Sequence, residues 1–281
     1  MAVKVVTDST SDLAPDLAES LGITVVPCNV QFGTESLKDG VDILADEFYE
    51  RLTVGPVHPT TSQPSPGDFV EVFDRLGEEA DGIVSVQVSA KLSGTYNSAI
   101  WAKEETTAKC PIEVVDSAQA CLALGLTVIA AAEAANKGAD TETVAKAARN
   151  AAPRSQLFFL VNTLEYLQKG GRIGKARAML GTVLNIKPIL TVQGGEVHEL
   201  AKARTFKKGI AKLKEVAESY VPLEGLYVLH TTTPELAQEI ADGLSDLVPD
   251  GKRPLVGRAG PTIGTYVGPG VLGIALLSAG D

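Results

Sequence analysis

Histidine, cysteine and positive charge are all scarce in this chain, and each scarcity removes a class of function. The 281 residues hold three histidines, His58, His198 and His230. None sits in an HExxH pair or beside a cysteine or aspartate that could orient it, and no Gly-x-Ser-x-Gly elbow occurs. The three cysteines, Cys28, Cys110 and Cys121, match no CxxC or zinc spacing. They read as buried thiols in a reducing compartment rather than as a disulfide framework or a metal site. Twenty-five Lys and Arg face 35 Asp and Glu, a net charge of -10. Nucleic acid is excluded as a partner, because neutralising phosphates needs a basic surface. Long apolar runs are missing as well. The most apolar stretch, residues 120–132, is too short to cross a bilayer, and the first residues enter a charged strand pattern rather than a signal peptide. The expectation is a soluble cytoplasmic protein with neither metal nor cofactor.

What is present is an alternation of strand and helix. Val- and Ile-rich strands are predicted at residues 3–7, 23–29, 83–88 and 112–115. Helices are predicted at 11–21, 45–52, 67–76, 94–106, 118–137 and 141–151. Such alternation implies a parallel sheet with helices on both faces. After Pro153 the pattern changes. A strand at 157–162 is followed by a hairpin, 189–192 and 197–203, around Gln193-Gly194-Gly195-Glu196. Helices at 206–219 and 234–244 and strands at 226–230, 255–257 and 271–277 complete it. The fold class is α/β in two domains, residues 1–153 and 154–281. The first has the parallel sheet; the second is an α+β domain with a mostly antiparallel sheet.

Hydroxyl-rich turns at the ends of elements carry the functional signal. Leu92-Ser93-Gly94-Thr95-Tyr96 joins a strand to a helix, where free N–H groups and the helix dipole favour an anion. Ser93, Thr95 and Ser98 add hydroxyl donors there. Thr60-Thr61-Ser62-Gln63-Pro64-Ser65-Pro66 reads as a loop stiffened by proline, able to aim Thr61 and Ser62 at a ligand. Asp8, Ser9, Asp116 and Ser117 fall at carboxyl ends of strands, where ligands bind in such sheets, although each taken alone reads more readily as a helix cap. Residues 260–270, which include Thr265 and Tyr266, are too punctuated by glycine and proline for a strand or helix and suit close approach to a ligand. Two basic islands, Lys169, Arg172, Lys175 and Arg177, then Lys202, Arg204, Lys207 and Lys208, gather eight of the 25 Lys and Arg. They favour an anionic ligand, an acidic partner or a lipid surface.

Taken in order, Val6-Thr7-Asp8-Ser9, Thr61-Ser62-Gln63-Pro64-Ser65, Leu92-Ser93-Gly94-Thr95-Tyr96, Val115-Asp116-Ser117, Tyr166-Leu167-Gln168-Lys169-Gly170-Gly171-Arg172-Ile173, Leu184-Asn185-Ile186-Lys187-Pro188 and Gly264-Thr265-Tyr266-Val267-Gly268-Pro269-Gly270 resemble the DegV family of bacterial fatty-acid-binding proteins. The resemblance implies one long-chain fatty acid buried between two domains, its carboxylate held by hydroxyls matching Thr61 and Ser93. It implies a non-catalytic acyl carrier that presents the fatty acid to a separate ATP-dependent fatty acid kinase and holds the acyl-phosphate product. Together with the hydroxyl-rich turns above, the expected ligand set is Thr61, Ser62, Ser93, Gly94, Thr95, Arg172, Thr265 and Tyr266. Lys169, Lys202 and Arg204 would serve the head-group region or partner docking. The family's glycine loop usually reads Gly-Thr-His; here Tyr266 replaces an ionisable ring with one neutral hydroxyl. The acyl chain should supply most of the affinity, at about 0.8 kcal/mol per buried CH₂, from an apolar lining drawn partly from residues 157–161, 179–184 and 271–277.

The same residues allow two rival readings. One is an enzyme acting on a small anionic substrate at a strand-end cleft, with Asp8 or Asp116 as base and Ser93 as nucleophile. The other is a lipid sensor whose basic islands make transient contact with a membrane surface or an acidic partner.

Overall fold

A computed structural model of the chain describes residues 2–181, 186–249 and 253–280. The chain opens with β1 (Val3–Asp8), α1 (Pro15–Ser20) and β2 (Ile23–Val26), then crosses to a hairpin of β3 (Asn29–Phe32) and β4 (Glu35–Lys38). Next come α2 (Ala45–Val54), β5 (Thr60–Ser62), α3 (Pro66–Gly77), β6 (Gly82–Gln87), α4 (Thr95–Glu105), β7 (Ile112–Asp116), α5 (Cys121–Asn136) and α6 (Thr141–Ala151). The remainder is β8 (Ser155–Leu160), α7 (Glu165–Lys169), β9 (Lys187–Gln193), β10 (Glu196–Ala203), α8 (Phe206–Glu218), β11 (Leu223–His230), α9 (Pro234–Asp242), β12 (Leu255–Arg258), α10 (Pro261–Val267) and β13 (Leu272–Ser278).

The first sheet has the order β2-β1-β6-β7 and is parallel throughout. Its strands are apolar on both faces because both are covered. Val6, Ile83 and Val114 pack on Phe69 and Phe73 of α3 and Ala99 of α4, while Val5, Val84 and Val86 pack on Leu124 and Val128 of α5 and Val144 of α6. The C-terminal sheet, β10-β9-β8-β13-β11-β12, is antiparallel except for the β11–β12 pair. The side chains of β8 alternate: Phe158 and Leu160 face the layer containing Leu213 of α8 and Ile240 of α9, and Leu157 and Phe159 face α5. Helix α5 is therefore shared, with one side on the parallel sheet and the other on the C-terminal sheet. This explains why it is apolar all round, with eleven of its sixteen residues buried.

Several local expectations are corrected. The strand expected over 23–29 breaks at Pro27, which has no N–H to continue a ladder, and only its last residue, Asn29, joins a separate three-stranded sheet, β4-β3-β5. Residues 60–62, read as loop, are the edge strand of that sheet, with Thr61 opposite Val30. The helix expected from residue 11 starts at Pro15, after a 3-10 turn and a left-handed Asp12 (φ 51°). The helix expected from residue 118 starts at Cys121, after Ala118 with φ 51°. Residues 260–270, read as irregular, contain α10. Pro261 starts it, its missing N–H costing nothing in the first turn, and Gly268 (φ 73°) ends it. Gly264 within it is required by packing: a Cβ there would stand 2.6 Å from both Phe48 Cε1 and the Tyr49 hydroxyl of α2.

Candidate functional site

The carboxyl ends of β1 and β6, the N-terminal end of α5, strand β5, helix α10 and the α5-facing side of the C-terminal sheet surround one cavity of about 330 Å³. That volume lies within the roughly 300–1,000 Å³ usual for small-molecule sites. Its interior is hydrocarbon: Leu157 and Phe159 of β8, Val192 of β9 and Leu229 of β11 form one wall, and Val88 and Ala120 stand on the other side. Cys28 and Cys121 also line it, and burial pushes both thiols well above their ordinary range, so they are neutral surface rather than nucleophiles.

The polar groups collect at one end. The short β5 strand brings Thr61 to Tyr266 of α10, whose hydroxyl lies 2.5 Å from Thr61 Oγ1. The Tyr266 ring occupies the space that a side chain at Gly170 would need. Above it stands the Arg172 guanidinium, 5.1 Å from the ring centre, in cation–π contact. Arg172 is held in place by donating from Nε to the Leu92 carbonyl (3.1 Å) and from a terminal nitrogen to the Gly170 carbonyl (2.9 Å). Ser93 sits just before α4; its Oγ lies 2.8 Å from Thr95 Oγ1 and accepts from the Thr95 N–H at 3.3 Å. Gly94 leaves room for the Gln63 side chain, which donates to Ser98 Oγ at 3.1 Å. Ser62 accepts from Gln31 Nε2 at 2.9 Å.

Of the residues singled out in the sequence, Thr61, Ser62, Ser93, Arg172 and Tyr266 line this cavity. Gly94 lines a shallower adjoining groove together with Ser93 and Arg172. Thr95 and Thr265 do not face the space: Thr95 is buried behind Ser93, and Thr265 donates to the Pro261 carbonyl one turn back in α10 (3.0 Å). Lys169 and Lys202 pair with Glu165 and Glu199 on their own segments, and Arg204 is exposed just beyond β10. Of the lining expected at 157–161 and 271–277, only Leu157, Phe159 and Val271 reach the cavity, because a strand turns alternate residues to opposite faces. From 179–184, Met179 is in the adjoining apolar layer, and residues 182–185, including Leu184 and Asn185, lie outside the described residues.

Thr10, Gln63, Thr262 and Ile263 also line the cavity and were not singled out as ligand residues. Thr262 had a usable signal, since it lies one helical turn before Tyr266, but only once residues 260–270 are seen as a helix.

The strand-end acids serve as braces. Asp8 is fully buried and accepts from the Thr10 N–H (2.9 Å), Thr10 Oγ1 (2.5 Å) and the Val88 N–H (2.9 Å), tying the ends of β1 and β6 together. Burial raises its pKa while these bonds oppose the rise. Asp116 accepts from the Ala118 N–H at 2.8 Å and the Ala90 N–H at 3.3 Å. Ser117 donates to the Gln87 carbonyl at 2.8 Å. Neither Asp8 nor Asp116 lines the cavity that Ser93 faces, so the base–nucleophile pair of the enzyme reading is not assembled. Among the described residues, no three or more His, Cys, Asp or Glu side chains are grouped to hold a metal ion, and no helix is long and apolar enough to cross a membrane.

Comparison with known proteins matches residues 2–279 to the model of the DegV family, described as uncharacterised proteins. A DegV domain-containing protein of Streptomyces coelicolor is 40% identical over 284 residues, covering 98% of each chain. Among solved structures, a DegV family protein of Thermus thermophilus described by its fatty acid binding superposes with a TM-score of 0.91 at 35% identity, covering 99% of this chain and 100% of that one. DegV of Bacillus subtilis, described as a fatty acid binding protein, gives 0.88 at 32% identity with coverage of 99% and 100%.

Proposed function

The chain belongs to the DegV family, and from that premise we propose that it binds one long-chain fatty acid in the cavity beneath the C-terminal sheet. The acyl chain lies along Leu157, Phe159, Val192 and Leu229. The carboxylate sits at the polar end, within reach of Thr61, Ser62, Ser93, Tyr266 and Arg172. The observation that carries this reading is the division of one cavity into a hydrocarbon interior and a hydroxyl-lined end with a single guanidinium. Burying the chain supplies affinity at about 0.8 kcal/mol per CH₂, and the head-group contacts fix orientation. The relatives described as fatty acid binding proteins support the same choice.

The protein acts as a carrier rather than an enzyme. In the cytoplasm it presents the bound carboxylate to a separate ATP-dependent fatty acid kinase and holds the acyl phosphate that feeds phospholipid metabolism. Residues 1–153 and 154–281 act as two domains that enclose the ligand. Gly94, Thr95 and Thr265 support the head-group end from behind. Lys169, Lys202 and Arg204 lie on segments able to meet the kinase or, transiently, an anionic membrane surface.

Solvent extraction of the purified protein, followed by mass spectrometry, should release fatty acid in stoichiometric amount. The double variant Thr61→Ala, Ser93→Ala should bind more weakly. With a fatty acid kinase and ATP, the loaded protein should yield acyl phosphate. Lipid-free protein that takes up no fatty acid would overturn the binding reading, and loaded protein that no fatty acid kinase accepts would overturn the carrier role alone.

A further inference from the structure

A second apolar space lies on the same seam as the acyl cavity. It is a cleft of about 440 Å³, walled mainly by Leu17 of α1, Leu126 and Ile129 of α5, Tyr227 of β11 and Leu277 of β13, with the charged Glu133, Glu224 and Arg253 also in its lining. Register relates the two spaces. On β11, Leu229 faces the first cavity and Tyr227 the cleft. Two residues along a strand are about 7 Å apart and point to the same face. On the neighbouring strands, Leu157 of the first cavity pairs with Ala275, while Leu277 of the cleft is two residues further along β13. On α5, Cys121 touches the first cavity and Leu126 the cleft, five residues or about 7.5 Å of helix rise apart. The spaces therefore occupy adjacent rows of one helix–sheet interface, separated by one layer of side chains.

The composition of that layer follows from the contacts. Leu122 is 1% exposed and lines neither space. Its methyl groups press on Gly257, in the row of Leu229. Leu126, one turn on, presses on Gly225, in the row of Leu277. The Tyr227 row falls between them, and Tyr227, Leu122 and Leu126 belong to one buried cluster. Among the described residues the buried Tyr227 hydroxyl has no hydrogen-bond partner, and the contacts that place the ring are apolar ones with Leu122 and Leu126.

We propose that the cleft is a walled-off extension of the acyl cavity and that Tyr227, backed by Leu122, is the wall that sets how long an acyl chain the protein accepts. This rests on the fatty-acid reading above. The occupant of the extension is the methyl end of the same ligand, since the cleft occupies the next row of the helix–sheet interface along which that chain lies. Chains that end short of Tyr227 bind fully. Longer chains must displace the ring or leave methylenes outside.

The test compares wild type with Tyr227→Ala and with Leu122→Val, a milder cut in the same wall. Displacement of a fluorescent fatty acid by palmitate and by docosanoate is measured, with thermal unfolding to confirm that each variant is folded. Each additional methylene admitted to apolar surroundings raises affinity about fourfold. Tyr227→Ala should therefore raise the docosanoate-to-palmitate affinity ratio by on the order of tenfold or more, and Leu122→Val should raise it by a smaller factor. Adding Ala130→Trp, which refills the cleft from α5, should return the Tyr227→Ala ratio to the wild-type value. An unchanged ratio in the folded variants, with wild type still binding palmitate, overturns the wall and leaves the fatty-acid reading intact. Failure of wild type to bind either acid overturns that reading, and the wall with it.

Discussion

Removing one oxygen from Tyr266 separates the polar end of the site from its packing. In Tyr266→Phe the ring still fills the space beside Gly170 and still lies under the Arg172 guanidinium, 5.1 Å away. The hydroxyl opposite Thr61 Oγ1 is all that is lost. A hydrogen bond to an ionised carboxylate contributes about 1.5–3 kcal/mol, and each 1.4 kcal/mol is a factor of about ten in Kd. The dissociation constant for a long-chain fatty acid should rise by about ten- to a hundredfold. The matching fatty alcohol keeps the acyl chain but carries no charge, so its bond to Tyr266 is of the weaker neutral kind, about 0.5–1.5 kcal/mol. Its affinity should fall less, and the acid-to-alcohol preference of wild type should shrink in the variant. Competitive displacement of a fluorescent fatty acid by each ligand reads both numbers, and an unchanged melting temperature shows that the ring packing survived. Equal affinity of wild type and variant for the acid would falsify the placement of the carboxylate beside Tyr266.

Three further outcomes follow from the geometry. The Asp39 carboxyl is pushed from 3.8 to about 6, chiefly by burial and against hydrogen bonds from Thr262 and Ser9, so the folded chain holds its proton more tightly than the unfolded one. Its contribution of about 3 kcal/mol is fully present below about pH 4 and is lost as pH rises through about 6; urea unfolding across that window should show a fall in wild type that Asp39→Asn lacks. Gly264→Val should lower the melting temperature by several degrees, since its Cβ would stand 2.6 Å from Phe48 and Tyr49 and overpacking costs about 1–3 kcal/mol; an unchanged melting curve would refute the tight docking of α10 on α2. Val192→Trp places a ring in existing empty space, so calorimetry should find a nearly unchanged melting temperature while uptake of fatty acid is lost.

The layout of the chain was readable wherever the signal was local. Both sheets and their covering helices follow from Val- and Ile-rich runs alternating with 3.6-residue patterns, and the β9–β10 hairpin follows from Gly194-Gly195 (φ 57° and 83°). The failures occur where a distant partner decides. Thr60–Ser62 has only three residues and proline after it, and it becomes a strand because β3 presents a free edge. Helix α10 has three glycines and a proline in or beside seven residues, a poor composition for an isolated helix. It forms because Gly264 fits against α2 and because its cap-side N–H groups meet acids far away in sequence: Gly260 N–H donates to Asp12 at 2.8 Å and Thr262 N–H to Asp39 at 3.2 Å. Tertiary contact overrides propensity at both places.

The same two segments build the polar end of the cavity, which is why its parts were visible singly but not as a set. Thr61 and Tyr266 are 205 residues apart, and nothing in local periodicity pairs them; only the resemblance put them in one ligand set. The acids at the strand ends looked equally suited to chemistry, and the deciding quantity is the number of lone pairs already engaged. Asp8 accepts three hydrogen bonds and Asp116 two, all from neighbouring strand-end or turn segments. Giving Asp8 a catalytic role would unpair the buried Thr10 and Val88 N–H groups, at about 1–3 kcal/mol each. The groups left to meet a ligand are neutral hydroxyls and one fixed guanidinium. That set can hold an anion, and among the described residues lining the cavity there is no carboxylate or imidazole.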